Sequence, residues 1–183
     1  MMLTILIIIC LGTSFYAGYR RGLMLQIVYG VGYVLSFMVA QTKYRALGEK
    51  LELLIPYPAP TEKTTLVLFD KNLIFDLDKA FYAGVAFMII LFIGWLITRF
   101  VGIFCYKLTF MPVIKQGNDL AGGIVNALFT LVGLTLVLTL LAMLPVDFIQ
   151  NLFKKSSLAR FLVDSTPIVS GLIKDWWITK IIL

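Results

Sequence analysis

No histidine occurs among the 183 residues. That absence removes Ser-His-Asp and Cys-His catalysis, His-ligated zinc or haem, and any imidazole proton shuttle. Cysteine is nearly absent too. Cys10 and Cys105 lie far apart in apolar stretches without CxxC spacing, so they read as small packed hydrophobes instead of a redox pair or zinc knuckle. Phosphate loops, GxSxG elbows and metal-ligating clusters are also missing. The expectation is a chain with no enzymatic activity, no cofactor and no metal. Charge is scarce as well, at 14% Asp, Glu, Lys and Arg against about 25% in ordinary soluble domains.

In place of charge there is apolar mass. Hydrophobic residues make up 60% of the chain, and the mean hydropathy is +0.95. A soluble protein of this size leaves roughly a third of its surface in water and cannot hide so much apolar material. Disorder is excluded by the same figure. The chain is predicted to be a membrane protein. Its net charge of +6 is spread between apolar runs and not gathered on one soluble face. The basic residues therefore point to anionic lipid head groups and topology, with no role in nucleic-acid binding.

The predicted fold class is an all-α membrane protein with four transmembrane helices in two antiparallel hairpins, plus a C-terminal amphipathic interfacial helix. The spans are residues 1–19, 22–42, 80–106 and 120–146, within a single integral membrane domain covering 1–183. Each meets the requirement of about 20 mostly apolar residues. The run 131–144 lacks the period-two alternation of a barrel strand. The first run reads as an uncleaved helix, because Arg20 and Arg21 follow it and bulky Phe15, Tyr16 and Tyr19 occupy any cleavage region. The third passes Arg99, which is predicted to snorkel toward phosphates.

Tyr19-Arg20-Arg21-Gly22 is predicted to turn the chain tightly, with Gly22 giving the backbone freedom. The link between the third and fourth helices is short and basic, with Arg99, Lys107 and Lys115 punctuated by Pro112 and Gly117. Asn118-Asp119 then offers an N-cap. The loop 43–79 holds as many acidic as basic residues. It begins amphipathically, with Leu47, Leu51 and Leu54 on one face, and breaks at Pro56, Pro58 and Pro60. Asp76 and Asp78 precede the third helix, where negative charge suits an N-terminus.

The tail 147–183 carries Thr166-Pro167 as N-cap and first helical residue, followed by Ile168, Val169, Leu172, Ile173, Trp176 and Trp177 at helical spacing. Trp176 and Trp177 are predicted at head-group depth, with Lys154, Lys155 and Arg160 meeting anionic lipid. The alternative is a tail packed on the protein's own bundle. The density of Lys and Arg in the two short loops places those loops in the cytoplasm, which leaves both termini and 43–79 outside.

Apart from Arg99 in the third, no side chain of the spans carries a charge. Gln26 and Ser36 lie in the second; Asn126, Thr130, Thr135 and Thr139 lie in the fourth. Asn126 is predicted to bond across a helix interface. Small residues recur every fourth position: Gly32, Ser36 and Ala40; Gly94, Thr98 and Gly102; Gly123 and Ala127. Such ridges let helices approach closely in lipid. Packing within the chain and packing in a homo-oligomer both remain open.

The order of features resembles the colicin V production protein (CvpA) family. The resemblance rests on the Arg21-Gly22 turn, a second helix rich in glycine and aromatics, and a fourth helix opening Asn118-Asp119-Leu120-Ala121-Gly122. The segments 51–58 and 144–150 and the tail 157–177 are similar as well. Arg21, Gly22, Asn118 and Gly122 match the motif. Asp119 stands where the family often has Arg, and Asn126 where a second glycine usually follows. The resemblance implies a multi-pass bacterial inner-membrane protein linked to toxin production, secretion or envelope maintenance. Some relatives are fused to a trypsin-like protease, for which the helical part looks like an anchoring or signalling module. A membrane or secreted protein is the expected partner, in addition to the lipid bilayer. A small oligomeric transporter or channel component is the other reading, with Asn126, Thr130 and Thr135 as its polar stripe.

Overall fold

The computed structural model describes residues 1–58, 60, 66–69, 76–105, 115–167 and 169–182, and every regular element among them is helical. Lys107, Pro112 and Ile168, used in the predictions above, lie outside these residues, as does the side chain of Lys115.

The apolar runs make helices because backbone N–H and C=O groups in lipid must be satisfied within the segment. α1 spans Met2–Glu52, α2 Leu77–Phe104 and α3 Lys115–Ala142. Three helices are long and apolar enough to cross a membrane: Met2–Glu52, Leu77–Phe104 and Gly117–Ala142. Their outward faces carry Ile5, Ile9, Val31, Leu35, Phe92 and Ile97, all more than half exposed. The runs 1–19 and 22–42 are both helical and meet within α1, with only Gly22 breaking the helix between them. Inside α1, Gly22 leaves helical geometry at φ 74° and ψ 167°.

Contacts on either side of Gly22 show the chain reversing there. Before it, Ile7 clusters with Leu138 and Ala142, and Ser14 bonds Asn126. After it, Tyr33 packs edge-on against Phe129, and Phe37 shares a small cavity wall with Leu136. Both arms of α1, residues 2–21 and 23–52, thus lie along α3 in opposite senses. α2 packs on the second arm.

Where α1 leaves its apolar run it does not stop at residue 42. It continues to Glu52, so the first part of the predicted loop 43–79 is helix. Leu47 and Leu51 pack inward, whereas Leu54 lies past the helix end and is 76% exposed. α3 starts before residue 120 and ends at Ala142, four residues short of the predicted span end. Its last carbonyls would be orphaned, and two other segments satisfy them. The Tyr57 hydroxyl donates to Met143 O at 2.7 Å. Gln150 Nε2 donates to Ala142 O at 3.1 Å and Leu144 O at 2.8 Å.

The tail is a chain of short pieces in place of one interfacial helix. These are α4 (Asp147–Lys154), α5 (Ser157–Ser165), α6 (Val169–Ile173), a π-helical turn (Lys174–Thr179) and α7 (Lys180–Ile182). Ser156 caps α5 by accepting from the Ala159 N–H at 3.2 Å, and its hydroxyl also bonds Thr4 Oγ1 at 2.8 Å. Trp176 and Trp177, expected among lipid head groups, are instead buried at 8% and 0% exposure. Phe87 packs against both, and Phe37 against Trp176. Both indoles lie in the π-helical turn, and Gly84, whose missing Cβ makes room, receives Trp177. Lys154, Lys155 and Arg160 remain exposed.

Candidate functional site

The four motif positions converge where the α1 reversal docks on the start of α3. Gly22 adopts a positive φ of 74°, a conformation that L side chains resist. A Cβ there would strike the Asn118 carboxamide. That same Asn118 accepts from the Leu23 N–H at 3.1 Å through Oδ1. Asn118 was expected to cap its own helix. It lies inside α3 and satisfies the first orphan N–H of the second α1 arm, a cap supplied across the fold. Its Nδ2 reaches Asp119 Oδ1 at 3.5 Å.

One turn further along α3, Gly122 faces backbone. A Cβ there would lie 2.6 Å from the Gly22 carbonyl carbon and 2.8 Å from Gly18 O. Gly18, absent from the sequence-level ridges, faces Gly122 in return and lies under the Asn126 Cβ. Gly18 therefore provides the close approach that a glycine at 126 would otherwise provide. Asn126 uses its position differently: Nδ2 donates to Ser14 O at 2.6 Å and Ser14 Oγ at 2.9 Å. Ser14 Oγ and Thr130 Oγ1 both reach Asn126 O at 3.0 Å, and the two hydroxyls also pair with one another.

The small-residue ridges meet within the chain. Gly32 sits against Thr98, Gly94 against Ser36, and Gly102 against the Tyr29 ring. Gly123 receives the Phe15 ring, Ala127 is half-buried, and Ala40 lies in the aromatic core with Tyr44 and Phe87. Thr135 leaves the predicted polar stripe: it bonds Leu131 O and pairs with Thr166 Oγ1 at 3.3 Å.

Arginine gathers at the reversal. Arg20 is exposed, and Arg21 lies half-buried with its guanidinium 5.8 Å from the Tyr29 ring centre. Arg99 approaches the same ring at 4.4 Å and Trp95 at 5.6 Å. These distances suit cation–π attraction. Arg99 opens onto a crevice of about 550 Å³ between α2, α3 and α1, lined by Cys10 of the first α1 arm and by Tyr33, Val34, Ser36 and Phe37 of the second, which Asn126 and Thr130 also border. Gln26 is fully buried with neither amide atom hydrogen-bonded, which costs about 1–3 kcal/mol for such a group.

The family model described as colicin V production protein matches residues 3–167. The chain belongs to the colicin V production protein family. A relative from Bacillus subtilis (strain 168), described as the uncharacterized transmembrane protein YshB, is 31% identical over 179 residues, covering 96% of this chain and 97% of the relative. No solved structure matches. In this colicin V production family member, Gly22, Asn118 and Gly122 form one docking contact, and Arg21 stands beside it over Tyr29. The glycine–asparagine closure explains why a motif split between two distant helices acts as one unit.

Proposed function

We propose that this membrane protein is a non-enzymatic interaction and anchoring module of the plasma membrane. It crosses the bilayer four times and holds a membrane or secreted protein partner during toxin production, secretion or envelope maintenance. The observation that carries this reading is how its intramembrane polar groups are used. Ser14, Asn126 and Thr130 bond one another, and Thr135 bonds Thr166. That is the pattern of interhelical glue, whereas a proton or ion pathway is built around ionisable residues. The four crossings are the two arms of α1, α2 and α3. The Gly22 reversal faces the cytoplasm, and both termini with the loop 43–79 face outward. Density of Arg at the reversal supports that orientation.

Affinity capture from native membranes tests the role. A partner recovered across several detergents is expected; recovery of this chain alone would overturn it. Labelling of single introduced cysteines at positions 20 and 160, in a variant lacking Cys10 and Cys105, tests the topology. Only position 160 is expected to react from outside the cell.

A second reading, an oligomeric transporter component, draws on one observation: Asn126 and Thr130 border the crevice. Solute flux in proteoliposomes that disappears in Asn126→Leu would favour it.

A further inference from the structure

We propose that the crevice beside Arg99 is a binding site for one anionic phospholipid, with an acyl chain lying in the crevice and the phosphate held by Arg99 with Arg21 nearby. α2 and α3 are each held mainly by α1 and touch one another little, which leaves the space between them open. Its volume of about 550 Å³ falls within the ~300–1,000 Å³ of ordinary ligand sites. The walls are almost wholly apolar, with Met88, Phe92, Phe129 and Val137 among them. Along α2 the lining runs from Met88 to Arg99, about 16 Å at the helical rise of 1.5 Å per residue. That is close to half of the ~30 Å hydrocarbon core, so the crevice has the length of one leaflet's chains.

Its cationic end has the complementary chemistry. Arg99 lies one to two turns before the end of α2 at Phe104. Its guanidinium is steadied by the Tyr29 and Trp95 rings, and its buried Nε has no hydrogen-bond partner among the described residues. Arg21 shares the Tyr29 ring. Among the described residues, the ion pairs are Lys79–Asp76, Lys174–Asp164 and Lys180–Asp175, so no carboxylate pairs with either arginine. A phosphate oxygen accepts well from a guanidinium. A head group without its own cation suits two neighbouring arginines better than choline does. An unpaired cation at the end of an acyl-sized apolar slot favours a lipid over the apolar helix of a partner protein.

The test is native mass spectrometry of the full chain after exchange into phosphatidylglycerol or phosphatidylcholine. One retained phosphatidylglycerol is expected, preferred by about tenfold. Arg99→Gln is expected to erase the preference, while Lys50→Gln at the exposed end of α1 keeps it. Gly133 borders the crevice, and a Cβ added there meets no atom within 4 Å. Gly133→Phe is therefore expected to fold with unchanged helical circular dichroism and lose both lipids. Glycerol phosphate, which has no acyl chain, is expected not to compete. Equal retention of the two lipids, undiminished preference in Arg99→Gln, full competition by glycerol phosphate, or a second copy of the chain replacing the lipid would each overturn the proposal.

Discussion

The two ends of the bundle are joined by opposite means. At the reversal, contact depends on side chains that are missing: Gly18, Gly22 and Gly122 bring backbone against backbone. At the far end, contact depends on bulk, with Phe37, Tyr44, Phe87, Trp176 and Trp177 stacked in one cluster. Lipid explains the difference. Burying an apolar side chain gains little against hydrocarbon, so helices inside the membrane associate through close approach and hydrogen bonds. The tail lies outside the long apolar runs, and its indoles meet Phe37 and Phe87 in tilted and edge-on aromatic contacts.

Substitutions at the two ends sharpen this contrast, and unfolding in SDS titrations measures them. Trp177→Ala removes the largest fully buried side chain and is expected to cost about 3–5 kcal/mol. Trp177→Phe is expected to cost much less, since the indole N–H has no hydrogen-bond partner. Gly122→Ala adds a single carbon, yet it meets the Gly22 and Gly18 backbone and is expected to cost about 1–3 kcal/mol. A silent Gly122→Ala would break the comparison. Asn118→Ala strands the Leu23 N–H and is expected to cost about 1 kcal/mol, as loss of a cap does.

The last effect concerns pH at the aromatic end and is confined to alkaline conditions above pH 10. Burial first, then Asp78 and Tyr82, push the Tyr57 phenol from 10.0 up to about 12. Its folded-state value is raised, so its contribution to stability is present below pH 10 and is lost as pH rises toward about 12. Tyr57→Phe, measured by the same unfolding assay, is expected to flatten that alkaline decline. An unchanged decline would place its cause elsewhere.

Much of the long-helix framework is legible in the linear pattern, because apolar run length answers directly to membrane thickness. The Arg21-Gly22 reversal is legible for a similar local reason: a charge pair and a glycine interrupt two apolar runs. What partners each face is not legible. Trp176 and Trp177 have one spacing whether they meet head groups or Phe87, and the space left at Gly84 for Trp177 shows only in the fold. Asn118 looks like a cap, and it is one, but for a strand of chain far away. Gly18 falls at four-residue spacing with Ser14 and Gly22, a ridge that runs into the turn itself, and what it meets, Gly122 and Asn126, is set only by the fold. Gln150 and Tyr57 carried only the family resemblance of their segments as a signal. Their shared task, closing the end of α3, requires the fold.

The Leu23–Asn118 bond also sets an order in time. Its partners are 95 residues apart, and synthesis proceeds at roughly 5–20 residues per second. For several seconds the newborn hairpin sits in the membrane with its turn unlatched. The split motif is a closure that fastens only after α3 has been made.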